Sequence, residues 1–172
     1  MLMILLFGCT KYDEAQIYVI PEGGHYSKGR KISRVKDNEI YFHFTFNETH
    51  RYIAELPDGT AVDFQNKLYG LTALNPEKHS ARISWMQVGD RFLILAFYHI
   101  NGIWDSEPLY YAEIDEELDL VITAGYGIYR FYCNGTEYIL HGTPKFKPYR
   151  AYPYFGGDPV CPHKMTFIIE EF

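Results

Sequence analysis

The stretch EIYFHFTF, residues 39–46, alternates apolar and polar side chains at every step. Its isoleucine and three phenylalanines occupy the even positions, and a tyrosine, a histidine and a threonine separate them. Successive side chains of a β-strand point to opposite faces, so a period of two sorts these residues onto two surfaces. The stretch therefore predicts a half-buried strand with an aromatic inner face.

The same reading extends along the chain in both directions. Residues 81–85 alternate in the same way, and residues 92–100 form a long apolar run suited to the centre of a sheet. Asn101-Gly102 and Asn134-Gly135 are two-residue hairpin signals, because both positions of such turns favour positive φ. Further strands are predicted at residues 109–114, 118–123, 128–133, 137–141 and 165–169. No window shows a helical period, so the sequence predicts an all-β domain of two packed antiparallel sheets.

Composition excludes several classes of protein. Among 172 residues, 16 are Tyr, 12 are Phe and 2 are Trp, which is too much aromatic surface for a disordered chain. The net charge of −6 argues against a nucleic-acid partner, because phosphate contacts need a basic face. No apolar run reaches the roughly 18 residues that a membrane-spanning helix needs.

The N-terminus predicts export. Residues 1–8 (MLMILLFG) are apolar and lead directly to Cys9, and LFGC resembles the bacterial lipobox, although no basic residue precedes the apolar run. On this resemblance residues 1–8 are a lipoprotein signal peptide, Cys9 carries the lipid anchor, residues 9–16 are a tether and residues 17–172 are a single β-sandwich domain. The expected location is the cell envelope, as an outer-membrane or cell-surface lipoprotein held to the membrane through Cys9. The alternative is a first β-strand with a buried cysteine.

The remaining cysteines leave two alternatives open. Cys133 and Cys161 form an even pair that can close a disulfide in an oxidising compartment, or they can be two buried free thiols. The seven histidines are scattered and no CxxC motif occurs, so we predict no metal site and no cofactor.

Several segments together resemble a family of small lipoproteins from Bacteroidota-type bacteria. The segments are NKLYG at residues 66–70, HSARISW at 79–85, the NG turn at 101–102, PYFGG at 153–157 and a Pro-His at 162–163. The resemblance covers roughly residues 17–170 and implies a lectin-like, jelly-roll or concanavalin-like β-sandwich. It implies no particular chemistry.

One constellation of acids invites a catalytic interpretation. Glu113, Asp115 and Glu117 would share one face of a strand, and they resemble the ExDxE signature of lectin-fold β-glucanases, in which two glutamates act as nucleophile and acid/base. However, residues 113–119 contain five acids among seven residues, which favours a solvated acidic turn between two strands.

Aromatic rings beside polar groups suggest a sugar-binding surface. Sugars present apolar C–H faces and hydroxyl edges, and both Trp104 with Asp105 and Tyr154 with Asp158 offer a ring and a carboxylate. Such rings can equally pack over the end of a sandwich. Gly156-Gly157 favours a tight corner beside Tyr154, where a Cβ would clash.

A third candidate group contains Asn66, Lys67, His79, Arg82 and Trp85. The planar fork of Arg82 suits a bidentate contact with a ligand carboxylate, or a buried ion pair that holds a loop against the sheet. No nucleophile elbow, phosphate loop or dinucleotide fingerprint occurs.

These observations favour non-catalytic binding, with a carbohydrate as the expected ligand and a small molecule as another. We therefore lean against an enzyme. One alternative is a small glycoside hydrolase that uses Glu113 and Glu117, and another is an accessory protein of the envelope that binds other proteins. The sequence predicts no oligomeric state.

Overall fold

The computed structural model describes residues 15–52, 65–157 and 159–172. The predicted signal peptide at residues 1–8, Cys9 and most of the tether lie outside the described residues, as does Asp158. The last residue of the predicted tether, Gln16, is the first residue of a strand. In the described part of the chain, no helix has the length and apolar character needed to cross a membrane.

Eleven strands and one short 3₁₀ helix account for the regular structure of the described residues. The strands are β1 Gln16–Ile20, β2 Glu39–Thr45, β3 Asn66–Thr72, β4 His79–Val88, β5 Arg91–Ile100, β6 Ile103–Ala112, β7 Glu117–Gly125, β8 Ile128–Cys133, β9 Thr136–His141, β10 Tyr149–Ala151 and β11 Met165–Glu171. The 3₁₀ helix spans Glu48–His50 and is capped by the Asn47 side chain.

The strands form two sheets in which every neighbouring pair is antiparallel. One sheet has six strands in the order β1-β11-β2-β7-β8-β9, and the other has five in the order β10-β3-β4-β5-β6. The predicted all-β fold of two packed antiparallel sheets is therefore confirmed. Both predicted NG turns are also present, since Asn101-Gly102 joins β5 to β6 and Asn134-Gly135 joins β8 to β9, all four residues having positive φ.

Three strands and one boundary differ from the sequence prediction. The prediction missed β1, β3 and β10. β3 reads NKLYGLT with nearly every residue buried and so shows no alternation, while β10 is only three residues long. β6 begins at Ile103, directly after the turn, whereas we expected the returning strand to begin at Leu109. A two-residue turn requires this, because pairing resumes at once on its far side.

The core between the sheets is built mainly from aromatic rings. The alternating face of β2 supplies Phe42 and Phe44, both essentially inaccessible to solvent. Phe46 stacks on Phe92 with ring centroids 4.2 Å apart, and Trp85 meets the edge of Phe46 at 5.3 Å. Offset and edge-to-face contacts of this kind add to the stabilisation that burial alone provides.

One buried ion pair connects the two sheets. Glu171 at the end of β11 accepts hydrogen bonds from both Nε and Nη2 of Arg150 on β10, at 2.7 and 2.6 Å. The same carboxylate accepts a 2.5 Å bond from the buried Tyr69 hydroxyl on β3. β10 belongs to the five-stranded sheet and β11 to the six-stranded sheet, so this network fixes their relative position.

β6 is the last strand of the five-stranded sheet in the part of the chain that the structure describes. It is ten residues long and contains Pro108, which lies beside a bulge where the register with β5 shifts between Ile94 and Leu95. Proline is tolerated in sheets mainly at edges and bulges, and this position has both features.

Candidate functional site

A groove crosses the outer face of the five-stranded sheet, the face turned away from the six-stranded sheet. It consists of two adjoining cavities of about 480 and 630 Å³ that share the side chains of Tyr26, Pro76, Arg82 and Tyr154. A concave surface with a few polar groups among apolar ones is the usual form of a ligand site. We call this surface the groove.

Strand pairing places the functional side chains of the groove floor. Arg82 on β4 lies opposite Phe97 on β5. His99 is two residues further along β5, and it pairs with Ser80 on β4 and with Trp104 on β6. Residues two apart share a face, so these side chains all project from one surface. The neighbours of Arg82 in β4, Ala81 and Ile83, point the other way into the core.

Arg82 is the most unusual residue of the groove. The structure gives it no ion pair with any described residue, and its buried Nε has no hydrogen-bond partner there. Burial lowers the pKa of the guanidinium to about 10, from an ordinary value of 12.5. A buried charge without a partner destabilises a fold unless something compensates it, and an anionic ligand would do so.

Lys67 is a second cation in the groove, and within residues 15–52, 65–157 and 159–172 no carboxylate forms an ion pair with it. Its Nζ donates a 2.8 Å hydrogen bond to the Gln65 carbonyl and lies 4.5 Å above the centre of the Phe97 ring. Burial, together with the nearby charge of Arg82, lowers the pKa of Lys67 to about 8. Two cations therefore face the same groove with only neutral contacts among the described residues.

His99 and Tyr154 supply the groups in the groove that can move protons. Nδ1 of His99 lies 3.1 Å from the Ser80 hydroxyl, and burial lowers the pKa of this imidazole, with the charges of Arg82 and Lys67 acting in the same direction. Burial raises the pKa of Tyr154, while the charge of Arg82 partly opposes that shift. At neutral pH the imidazole is therefore a neutral base and the phenol a neutral acid.

The PYFGG corner positions Tyr154. The backbone of Tyr154 exchanges two 2.9 Å hydrogen bonds with Lys67, so the corner continues the pairing along β3. A Cβ at Gly156 would lie 2.4 Å from the Gln65 carbonyl oxygen, so only glycine permits this approach. The Gly156 amide donates a 2.9 Å bond to the side chain of Asn66, which is fully buried.

The sequence-predicted ligand residues divide between the groove and other parts of the molecule. Arg82, Tyr154 and Trp104 line the groove, and Trp104 is 61% exposed and stacked on Phe97. Asp105 does not share that surface, because its neighbouring position in β6 turns it toward Tyr98 on the opposite face. The predicted pairing of Trp104 with Asp105 around one sugar is therefore absent.

Two further candidates lie away from the groove. Asn66 is a buried structural residue that donates to the Tyr52 hydroxyl and accepts from the corner backbone. His79 accepts a 3.4 Å bond from the Asn101 amide and stacks on Phe146, at the end of β4. The predicted third group is thus only partly assembled, since Lys67 and Arg82 line the groove while Trp85 is buried in the core.

The acidic constellation is a turn rather than a strand face. β6 ends at Ala112 and β7 begins at Glu117, so Glu113 and Asp115 lie in the exposed connection, where Asp115 has a φ of 61°. Glu113 lies 4.0 Å from Arg91, whereas Glu117 faces His43 on β2 at 3.6 Å. The two glutamates have different partners and do not face each other across a cleft.

Cys133 and Cys161 are separate, buried free thiols. Burial raises the pKa of Cys133 to about 12 and that of Cys161 to about 11. Cys133 ends β8, and Cys161 lies in the loop before β11 and donates to the His163 carbonyl. Of the two predicted alternatives, the disulfide is not formed.

The sequence analysis singled out neither His99 nor Tyr26 for the groove. The Asn101-Gly102 turn fixes the register of β5 and β6, so the pairing of His99 with Trp104 follows from the sequence once that turn is recognised. Tyr26 had no such signal. It reaches the groove through a bridge to Tyr154, with ring centroids 5.0 Å apart.

Three potential metal-ligating side chains meet on the outer face of the six-stranded sheet. Cross-strand pairing brings His43 of β2 to Glu117 and Asp119 of β7, with all ligand atoms within 4.8 Å of one another. The two carboxylates are largely exposed. We predicted no metal site, and the sequence analysis did not identify this partly buried histidine between two acids.

Comparison with known proteins finds the fold in solved structures but finds no related sequence. No protein-family model matches the sequence, and no curated protein matches it. An alginate lyase from Alteromonas sp. 272 superimposes with a TM-score of 0.52 over 92% of this chain and 85% of that one, at 9% sequence identity. The alginate lyase AlgAT5 of polysaccharide lyase family 7 gives 0.48 over 92% and 75%, at 13% identity. A glycosidic hydrolase gives 0.48 over 92% and 77%, at 10% identity.

The match to the Alteromonas structure establishes the jelly-roll β-sandwich that the family resemblance implied. It also overturns the functional prediction. We expected non-catalytic carbohydrate binding, but the Alteromonas structure that shares this architecture is an alginate lyase by name. Of the alternatives that we considered, the small glycoside hydrolase agrees in part, since it too would be an enzyme that acts on a carbohydrate. The comparisons do not confirm the lipoprotein family.

Proposed function

We propose that this protein is a polysaccharide lyase that cleaves a uronic-acid polysaccharide, such as alginate, by β-elimination in the groove. The observation that carries the proposal is the partly buried guanidinium of Arg82, whose buried Nε has no hydrogen-bond partner among the described residues, beside Lys67, His99 and Tyr154. A uronate carboxylate would supply the anion that Arg82 lacks. The name of the structural neighbour from Alteromonas supports alginate as the first substrate to test.

Four residues of the groove meet the requirements of β-elimination. A proton next to a carboxylate becomes acidic only when the carboxylate charge is neutralised, and Arg82 with Lys67 provides two fixed cations for that purpose. A base must then accept the proton, and neutral His99 is the candidate. An acid must protonate the leaving oxygen, and Tyr154 is the candidate.

The proposed step is balanced without a co-reactant. Nε2 of His99 takes the proton from C5 of the uronate, which requires the tautomer with its proton on Nδ1, the atom 3.1 Å from the Ser80 hydroxyl. The C5–H electron pair forms a C4=C5 double bond, and the C4–O bond to the next sugar breaks. The leaving oxygen takes the phenolic proton of Tyr154. Proton exchange with solvent then restores both residues.

The position of acids supports a lyase over the hydrolase that we considered. A glycoside hydrolase needs two carboxyl groups on either side of the scissile bond. Among the described residues that line the groove, Glu77 is the one carboxylate. Glu113 and Glu117 lie at the β6–β7 connection instead.

The test is incubation of the purified protein with alginate and with a neutral β-glucan, followed by ultraviolet absorbance and mass spectrometry of the products. We expect oligosaccharides with an unsaturated uronate end from alginate alone. Arg82→Met is expected to lower kcat/KM at least about 100-fold, as loss of a main charge-stabilising group does. Arg91→Met, at an exposed position outside the groove, is the matched control. Products with saturated ends, or equal activity of Arg82→Met and wild type, would refute the proposal.

We propose separately that the protein acts at the cell envelope, anchored through Cys9. The support is the lipobox-like segment at residues 6–9, and a secreted polymer is a substrate that such a location would meet. Labelling cells with radioactive palmitate compares wild type with Cys9→Ser. Label that depends on Cys9 is expected, and equal labelling of both would refute the anchor.

A further inference from the structure

A third cavity lies outside the groove and has a strongly basic lining. It measures about 660 Å³ and is lined by four cationic side chains and no carboxylate among the described residues. The four are Arg34, Lys36, Lys145 and Lys147. We call this cavity the basic pocket. The acid nearest in sequence, Asp37, does not line it.

The cations of the chain are concentrated around this pocket. Residues 28–36 hold five and residues 145–150 hold three of the 16 lysines and arginines, and neither segment contains an acid. For a chain with a net charge of −6, this is a marked local separation of charge. The net charge argued against a nucleic-acid partner, but a local field of this kind attracts anions whatever the total charge.

Backbone hydrogen bonds hold the two basic segments side by side. The Val35 amide donates to the Pro148 carbonyl at 3.0 Å, and the Arg150 amide donates to the Ser33 carbonyl at 2.9 Å. The walls of the pocket are therefore fixed before any ligand binds, which lowers the entropic cost of binding. Four like charges held together in this way repel one another unless an anion lies between them.

An exposed aromatic ring completes the pocket. Tyr126 is 82% exposed at the tip of the β7–β8 hairpin and has a φ of 55°, followed by Gly127 with a φ of 79°. Positive φ is strained for a bulky residue, and asparagine is the usual residue at this position of such a turn. A strained, exposed ring beside four cations offers a sugar both a flat apolar surface and charged partners.

The basic pocket adjoins the groove through one pair of residues. Tyr149 lines the groove, and Arg34, which lines the basic pocket, forms a backbone bridge with it and lies 5.9 Å above its ring. Arg30 and Lys31 of the same basic segment line the groove itself. Positive charge thus extends from the groove to the basic pocket along residues 30–36.

We infer that the basic pocket is a second binding site, for the carboxylates of an acidic polysaccharide chain that extends beyond the groove. Binding there does not require catalysis, but the choice of a carboxylated glycan over other polyanions rests on the proposed function. The site increases the affinity for long polymers and leaves short oligosaccharides unaffected, because only a long chain reaches both places.

The first experiment measures binding of polymeric alginate by affinity electrophoresis, in the full-length protein with Arg82→Met to disable the groove. Lys145→Gln/Lys147→Gln is expected to weaken this binding about tenfold, since each exposed ion pair contributes a few-fold. Lys164→Gln, an exposed charge outside the pocket, is the matched control. Equal retention of the double variant and the control would overturn the inference.

The second experiment uses the ring. Tyr126→Asn keeps a turn residue that tolerates positive φ, so its thermal unfolding midpoint is expected to equal or exceed that of wild type while alginate binding falls several-fold. Unchanged binding would refute the role of the ring.

Equal loss of binding to DNA and to alginate in the lysine variant would identify a general polyanion site and overturn the glycan assignment.

The outcomes separate this inference from the proposed function. A protein that binds alginate through the basic pocket but releases no unsaturated product refutes the lyase proposal alone. A protein that cleaves alginate, with kcat/KM for both polymer and trisaccharide unaffected by Lys145→Gln/Lys147→Gln, refutes the second site alone.

Discussion

At the scale of single residues, the site is defined by groups whose pKa values or ion pairing differ from those of the same side chains in water. Arg82 and Lys67 are partly buried cations that have no carboxylate partner among the described residues. His99 and Tyr154 both have pKa values displaced toward their neutral forms. Such displaced values concentrate at functional sites, because burial and neighbouring charges are what tune acids and bases.

The pKa of Lys67 leads us to predict the upper pH limit of activity. Its pKa of about 8 means that the charge which helps bind a carboxylate is lost above that pH, so kcat/KM is expected to fall there. Lys67→Arg keeps the charge and should move the fall upward, toward the limit of about 10 that Arg82 sets. The pH profile of kcat/KM for the two proteins is the measurement, with the exposed Lys78→Arg as control. An unchanged profile would show that Lys67 does not bind the substrate.

His50 predicts the acid stability of the fold. It is fully buried among aromatic rings, and burial lowers its pKa to about 4 from an ordinary 6.5. Between pH 6.5 and 4 the unfolded chain binds this proton and the native chain does not, so stability falls as pH falls across that window. The expected loss is roughly 3 kcal/mol. Urea unfolding at several pH values measures the free energy of unfolding as a function of pH. In His50→Gln this free energy is expected to depend less on pH between 6.5 and 4. An equal dependence in the variant and in wild type would exclude His50 as the cause.

At the scale of the strand, the buried carboxylate of Glu171 connects elements of different sheets. It accepts from Arg150 on β10 and from Tyr69 on β3 while itself belonging to β11. Glu171→Gln leaves the Arg150 guanidinium without a counter-charge in a half-buried position. We expect a loss of about 2 kcal/mol in the free energy of unfolding, measured by denaturant titration.

The adjacent residue provides the control for that change. Glu170 precedes Glu171 on β11 and is exposed, because alternate residues of a strand face opposite ways. Glu170→Gln is expected to change stability by less than about 0.5 kcal/mol. Equal effects of the two substitutions would show that the ion pair contributes little.

The strands themselves were largely predictable, and the reason is local. β2 and the two NG turns carry their structure in their own sequence, through alternation and through residues that accept positive φ. β3 was not predictable, since it is buried on both faces and contains Lys67, Gly70 and a bulge. Such a strand takes its conformation from its neighbours rather than from its own pattern.

At the scale of the whole molecule, the groove draws on parts of the chain that the sequence separates widely. Lys67, Arg82, His99 and Tyr154 come from three strands and a distant corner. The sequence identified Lys67, Arg82 and Tyr154 as candidates from residue type and motif, but not His99. That Arg82 is buried without a partner depends on every neighbouring strand, so it became visible only in the structure.

The whole fold is also free of covalent cross-links between its described cysteines. With pKa values of about 12 and 11, Cys133 and Cys161 carry almost no thiolate at neutral pH. We expect neither to react with iodoacetamide in the native protein and both to react in denaturant, as peptide mass mapping would show. Rapid native alkylation of either residue would contradict its burial.

Pro108 and the adjacent bulge bend β6, and this bend limits the association of molecules through their outer strands at high concentration. A straight outer strand of ten residues would offer a neighbour a row of free donors and acceptors on which to align, and fibrils grow by that route. A bent edge strand that lacks one amide proton pairs poorly with a strand of another molecule. We expect Pro108→Thr to shorten the lag before thioflavin-positive aggregates appear, so this one imino acid protects the colloidal state of the protein.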